Sequence, residues 1–293
     1  MQMPVAKASD LSVVVPAFNA AGFLPQALES VLSQSPAPAR IVVVDDGSTD
    51  GTPGVVARYA PRVECVRLPH RGIVAVRQHI LSLVETPWFF NLDADNLLPP
   101  GFFRRTLPVL ASLPPSVAFA YLDVATFGDY ERLQPAPDFS LDALQRGPCV
   151  DMNAFFRLDP ARRAGFDPFF ERGWEDYDFV LRLVELGFTG RRIPGIPVRY
   201  RVHAASRTAA IRGDNPSSDL MRAIVERHPS LFPPPAAAAA LARFTPDAAV
   251  RLDFSKALWA GAYARAAGLL VRHPLPFLRA ASARLSHRRE VIP

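Results

Sequence analysis

The apolar positions of this chain fall into short solid runs separated by stretches with helical spacing. Leu11–Val15 is apolar apart from Ser12 and ends at Pro16, as a strand buried on both faces would. Phe23, Leu24, Ala27, Leu28, Val31 and Leu32 then mark one face of a helix, with Pro25 near its first turn, where proline is tolerated. Ile41–Val44 predicts a second buried strand. It leads into Asp45-Asp46-Gly47-Ser48-Thr49-Asp50-Gly51-Thr52-Pro53, a dense turn and helix-cap signal. A helix to about Tyr59, a strand over Val63–Leu68 and a helix marked by Ile73, Val76, Ile80, Leu83 and Val84 follow. The aromatic run opening at Trp88 predicts a fourth strand, and Val117–Val124 a fifth. Such alternation predicts an α/β fold, a mostly parallel sheet with helices on both faces.

Beyond the fifth strand the rhythm changes. Val150–Arg157 and Val198–His203 read as strands, with a helix from about Asp176 to Leu186 between them. Three prolines from Pro233 followed by five alanines mark a linker or helix start. Asp247–Leu270 and Pro276–Ser286 read as helices. The expected organisation is a main domain over 1–210 and a helical C-terminal extension over 211–293.

Composition narrows the class. The 293 residues are 49% hydrophobic, enough for a full core, and no uncharged apolar stretch reaches membrane-spanning length. The first ten residues lack the apolar centre of a signal peptide, so the expected location is the cytoplasm. Cys65 and Cys149 lie in apolar runs and read as buried reduced thiols. Without a Cys-x-x-Cys pair or a Cys/His cluster, zinc is not expected. From Arg251 onward eight basic residues face only Asp253 and Glu290, so the tail carries +6 and the remainder −1 of the net +5. The main domain has no basic surface interleaved with aromatics, and no nucleic-acid partner is expected. The tail carries Leu269, Leu270, Leu275, Phe277 and Leu278 between its charges. That pattern suits either peripheral contact with an anionic inner-membrane surface or a solvated helical flap.

Candidate chemistry sits at the strand ends. In an open α/β sheet, ligands bind beyond the carboxyl ends of the strands. Those ends carry Pro16-Ala17-Phe18-Asn19, Asp45-Asp46-Gly47-Ser48 and Asp93-Ala94-Asp95. Phe18 could stack on a base, and Asp46 could accept from a ring N–H. Asp93 and Asp95, two apart in extended chain, face one side and repel unless a cation sits between them. Magnesium or manganese is the natural cation, because each takes oxygen ligands and leaves room for substrate phosphates.

The segments VVVPAFNAAGFLPQALESVLSQ, IVVVDDGSTDGT, FFNLDADNLLPPGFF and GWEDYDFVLRLVELGF, in this order, resemble a family 2 glycosyltransferase of the GT-A fold over about residues 10–205. The resemblance implies an inverting transferase that uses a nucleotide-sugar, usually a UDP-sugar, and a divalent metal. It implies that Asp46 reads the base, that Asp93 lies near the ribose and that Asp95 and His203 hold the metal. It makes Asp176 of the Glu175-Asp176 pair the catalytic base. Arg77, in Val76-Arg77-Gln78 where relatives carry Ala-Arg-Asn, faces the diphosphate on this reading. Trp174 is core, rim or a platform for a sugar ring. The implied acceptor is a saccharide or a lipid-linked saccharide. A nucleotidyltransferase is the first rival, though the loop PAFNAAG lacks the glycine-rich phosphate pattern. An inactive nucleotide-sugar-binding scaffold is the second.

Overall fold

The computed structural model describes residues 7–204, 217–245, 258 and 263–276. The chain divides into two compact units, 1–208 and 209–293.

The first unit is built on an eight-stranded sheet. Its strands are β1 (Leu11–Ala17), β2 (Arg40–Asp45), β3 (Glu64–Arg67), β4 (Trp88–Asn91), β5 (Val117–Gly128), β6 (Arg132–Gln134), β7 (Phe155–Arg157) and β8 (Thr189–Val202). Their order is β3-β2-β1-β4-β7-β5-β6, with β8 paired to β5. The β1–β2, β1–β4, β2–β3 and β5–β8 pairs are parallel, whereas β7 runs antiparallel to both β4 and β5. Helices α1 (Leu24–Leu32), α2 (Thr52–Ala57), α3 (Ile73–Leu83), α4 (Phe102–Ser112), α5 (Leu141–Gln145), α6 (Leu158–Ala164) and α7 (Glu175–Glu185) surround it. Every residue of β1 and β4 is buried, which accounts for their largely apolar sequences. The order of the strands reverses between β1 and β4, so the carboxyl ends of these two strands and β2 flank one crevice.

Three expectations need correction. The predicted strand over Val150–Arg157 shrinks to Phe155–Arg157, because Asp151 Oδ1 accepts from Asn153 N at 2.8 Å and turns the chain before pairing begins. The last strand starts at Thr189, well before Val198, although it contains Pro194, Gly195 and Pro197. Residues 194–197 loop out of the ladder: Leu122 pairs with Ile193, and Val124 pairs next with Val198. The carboxylate of Asp123 ties down this bulge, accepting from Arg192 Nε at 2.9 Å and Gly195 N at 3.2 Å. Finally, Cys65 is exposed rather than buried, because β3 is the edge strand; Cys149 is half-buried and both thiols are free.

In the second unit the described helices are α8 (Ser217–Arg227), α9 (Pro234–Arg243) and α10 (Tyr263–Arg272). α8 packs on α9. Of the predicted tail helices, Tyr263–Arg272 is present; residues 246–257 and 277–293 lie outside the described residues. No described helix is long and apolar enough to cross a membrane.

A buried amide ties the crevice to α1. Gln34 donates to Ser30 O at 2.9 Å and Pro99 O at 3.0 Å, and its Oε1 accepts from Phe102 N at 2.8 Å. It thereby fixes the chain between the Asp93-Ala94-Asp95 turn and α4. Gln34→Leu removes the side-chain partner of Pro99 O and Phe102 N, and each such loss costs about 1–3 kcal/mol. A clear drop in the urea midpoint with an unchanged m-value is expected.

Candidate active site

The turn after β2 is laced to the turn after β1. Asn19, in the left-handed region at φ 48°, accepts from Thr49 N through Oδ1 at 2.9 Å. Its own N–H donates to Ser48 Oγ at 2.9 Å, and Ala20 N donates to Thr52 Oγ1 at 2.8 Å. Asparagine is among the few non-glycine residues that take this conformation readily. The polar residues of DDGSTDGT thus hold the two turns together, and their cap and turn chemistry is structural.

Asp46 has a comparable structural engagement. Its Oδ1 accepts from Arg71 N at 2.9 Å, and its Oδ2 accepts from Gly72 N at 2.9 Å and lies 2.8 Å from His70 Nδ1. The His70 ring stacks on Phe18, with centroids 4.2 Å apart and planes at 14°. Asp46 is therefore a brace for the 70–72 turn that supports the exposed Phe18 ring, rather than an open acceptor.

The Asp93-Ala94-Asp95 turn is held from two sides. Asn153 is one support: its Oδ1 accepts from Asp93 N at 2.9 Å and its Nδ2 donates to Asp93 Oδ2 at 3.0 Å. β8 is the other. Leu97 and Arg199 exchange backbone hydrogen bonds of 2.9 and 3.0 Å. Arg201 N donates to Asn96 Oδ1 at 2.8 Å, and Arg201 Nε donates to Asp95 O at 3.0 Å. This zipper brings His203 Nε2 to 3.0 Å from Asp95 Oδ2. Burial and the nearby Asp93 raise the Asp95 pKa, while His203 opposes them.

Among the described residues no group of three or more His, Cys, Asp or Glu side chains converges as a metal cage. A hard divalent ion bound through one carboxylate and one imidazole keeps most of its positions for phosphate oxygens. The Asp95–His203 pair fits an ion of that kind, completed by a substrate.

The opposite wall is built around Arg77. This guanidinium lines the pocket but is largely buried, and the neighbouring carboxylates engage it. Its Nη1 bonds to Glu175 Oε1 and its Nη2 lies 3.5 Å from Asp93 Oδ1. Burial works to lower its pKa, but Glu175, Asp93, Asp176 and Asp151 outweigh that and raise it. Glu175 is buried in this pair, so it anchors Arg77, and its neighbour Asp176 faces the crevice. Asp176 Oδ1 accepts only from Tyr177 N, at 2.8 Å. Burial, then Glu175, push its pKa up to about 7 against the pull of Arg77. Glu171 closes the wall: its two oxygens accept from Ile73 N and Val74 N, both at 2.9 Å, at the start of α3. Gly72, at φ 90°, leaves room for it; a Cβ there would lie 2.3 Å from Glu171 Oε1.

Together these walls enclose a pocket of about 320 Å³. Pro16, Phe18, Arg77, Asp93, Asp95, Glu175, Asp176 and His203 all line it. Ala17 and Asp46 stand behind the lining. So does Trp174, which takes the left-handed φ of 65° before α7 and packs edge-on against Tyr177 with centroids 5.8 Å apart.

Residues 12–157 match the model for glycosyl transferase family 2.

The succinoglycan biosynthesis protein ExoO of Rhizobium meliloti is 31% identical over 191 residues, which cover 61% of this chain and 54% of that protein. This chain thus spans about half the length of that relative. Among solved structures, residues 1–349 of S. aureus TarS in complex with UDP-GlcNAc superpose with a TM-score of 0.59 at 18% identity, covering 74% of this chain and 65% of that one. The mannosyltransferase PcManGT of Pyrobaculum calidifontis, in complex with GDP-Man and Mn2+, gives a TM-score of 0.54 at 19% identity, covering 89% and 85%. At these identities the structural likeness establishes the GT-A fold.

Several lining or bracing residues carried no readable sequence signal. Asp151 and Asn153 sit inside what reads as a strand, and His70 and Glu171 sit in loops without pattern. The alternation of Asp151, Met152 and Asn153 at the mouth of a strand was the one available hint.

Removing Arg77 uncovers buried carboxylates. Arg77→Met is expected to cost about 3–5 kcal/mol of stability, the typical penalty for breaking one side of a buried ion pair. Arg77→Lys should recover little of it, since an ammonium lacks the fork that reaches Glu175 and Asp93 together. Denaturant melts of both variants check this; a loss under about 1 kcal/mol in Arg77→Met would contradict it.

Proposed function

We propose that this chain is a metal-dependent, inverting family 2 glycosyltransferase. It moves a sugar from a nucleotide-sugar, a UDP-sugar by preference, to an acceptor hydroxyl during assembly of a surface polysaccharide or glycolipid. The observation that carries the reading is one pocket lined on one side by Asp93, Asp95 and His203 and on the other by Asp176. The match to ExoO supports a saccharide or lipid-linked acceptor, and the nucleotide-sugars in the TarS and PcManGT complexes support the donor class. The enzyme is proposed to work in the cytoplasm. The exposed Leu270, Val271 and Leu275 of the tail would meet the inner membrane surface there.

On this reading Phe18 stacks on the base and Asp93 orients the ribose. Asp95 and His203 would hold a magnesium or manganese ion, which supplies Lewis-acid stabilisation to the departing diphosphate. Asp176 takes the proton of the acceptor hydroxyl as that oxygen bonds to the anomeric carbon. The bond from that carbon to the diphosphate oxygen breaks, and its electron pair leaves with the nucleotide. Attack opposite the leaving group inverts the anomeric centre. Arg77 acts from behind, pairing with Glu175 and leaving Asp176 as the carboxylate offered to the acceptor.

Two outcomes test the roles. Asp176→Asn should retain nucleotide affinity and lose about 10²–10⁴-fold in turnover, because the amide keeps the shape but cannot accept the proton. Near-normal turnover removes Asp176 from the reaction. Asp95→Asn should instead weaken manganese-dependent UDP binding in calorimetry, and wild-type UDP affinity indifferent to EDTA would remove the metal.

The pH dependence has a definite sign. Asp176 must be ionised to work, and its pKa is raised to about 7. On transfer to an acceptor, kcat/KM should therefore fall about tenfold per unit as pH drops below about 7, and level off above it. A profile flat down to pH of about 5 contradicts the assignment.

A further inference from the structure

β8 presents a second charged feature beside the pocket, outside the roles given above. The guanidinium carbons of Arg199 and Arg201 lie 4.6 and 4.4 Å from the centroid of the Phe127 ring. No ion pair of the described residues involves either arginine. Among the described residues the Arg201 guanidinium donates only to neutral acceptors, Asp95 O at 3.0 Å and Gln26 Oε1 at 2.6 Å. Among those residues the Arg199 guanidinium has the Phe127 ring as its contact and makes no hydrogen bond. Two like charges held on one ring repel, and each keeps donors unspent. Arg201 lies 5.2 Å from the centroid of Phe23 and bonds to Asp95 O, and Phe23 and Asp95 both line the pocket, so the pair adjoins it.

We propose that Arg199 and Arg201, held on Phe127, form a subsite for an oxyanion, a phosphate or carboxylate, carried by the acceptor. The chemistry follows from the geometry. A planar guanidinium offers paired donors that match such oxygens. The ring holds both groups in place, so little side-chain entropy is lost on binding. Only the assignment of the oxyanion to an acceptor rests on the transferase reading; the oxyanion site itself does not. The donor's own diphosphate is the competing source.

The test is calorimetric titration of the full chain with inorganic pyrophosphate, in EDTA, using wild type, Arg199→Gln and, as a control for surface charge, Lys7→Gln. Arg199 holds no other side chain, so its substitution should leave the fold unchanged in a thermal melt. Pyrophosphate affinity should fall about tenfold in Arg199→Gln, the loss of one charge-assisted contact, and stay the same in Lys7→Gln. Equal loss in both variants, or none in Arg199→Gln, overturns the subsite. The titration is then repeated without EDTA, with manganese and UDP at saturation. Binding that persists and still depends on Arg199 supports an acceptor oxyanion; displacement by UDP assigns the pair to the donor diphosphate and overturns the proposal. If UDP binds neither protein, the donor reading fails on its own, while the Arg199 dependence still decides the oxyanion site.

Discussion

One buried cation organises this molecule. Arg77 projects from the middle of α3 into a wall containing Asp93, Asp151, Glu175 and Asp176. Its side chain is 6% exposed, so water contributes little to its solvation and the carboxylates must. It reaches the end of β4 through Asp93 and the start of α7 through Glu175. Those two segments are far apart in sequence, and no backbone pairing joins them. The charge network is what sets them face to face. It also leaves more carboxylates than cations there; burial first, and then the neighbouring Glu175, raise the pKa of Asp176.

The architecture was legible because strands buried on both faces have to be apolar throughout. β1, β2 and β4 are solid runs of Val, Ile, Phe and Trp, and no tertiary detail was needed to read them. The helices between them carry one apolar face each, and α1, α3 and α7 begin within a residue or so of where the pattern puts them. β8 was half-hidden for the opposite reason. Its prolines break the period, and only the bulge held by Asp123, a carboxylate many residues away, lets the strand continue through them.

The site was legible where residue type and local spacing carry the chemistry, as with Asp93, Asp95 and the Glu175-Asp176 pair. What sequence could not supply was orientation. The resemblance turns Arg77 toward a diphosphate, yet its guanidinium is engaged by Glu175 and Asp93. Asp46 looks like a free acceptor because it follows a strand, yet three donors from the 70–72 turn occupy it. Adjacent carboxylates at 175 and 176 are indistinguishable by pattern. The helix turn of about 100° per residue sends one to Arg77 and the other to the crevice. Asp151, Asn153 and Glu171 matter through contacts spanning tens of residues, which no window of sequence contains.

The first backbone N–H groups of a helix are a common seat for phosphate in α/β proteins. In α3 that seat is already taken, because the Glu171 carboxylate sits on Ile73 N and Val74 N as a tethered stand-in for an anion. The helix dipole is thereby spent within the protein, and that seat is closed to another anion. The other wall carries Asp93 and Asp95, themselves negative. On the proposed reading, the diphosphate of a nucleotide-sugar would therefore depend on an imported positive charge.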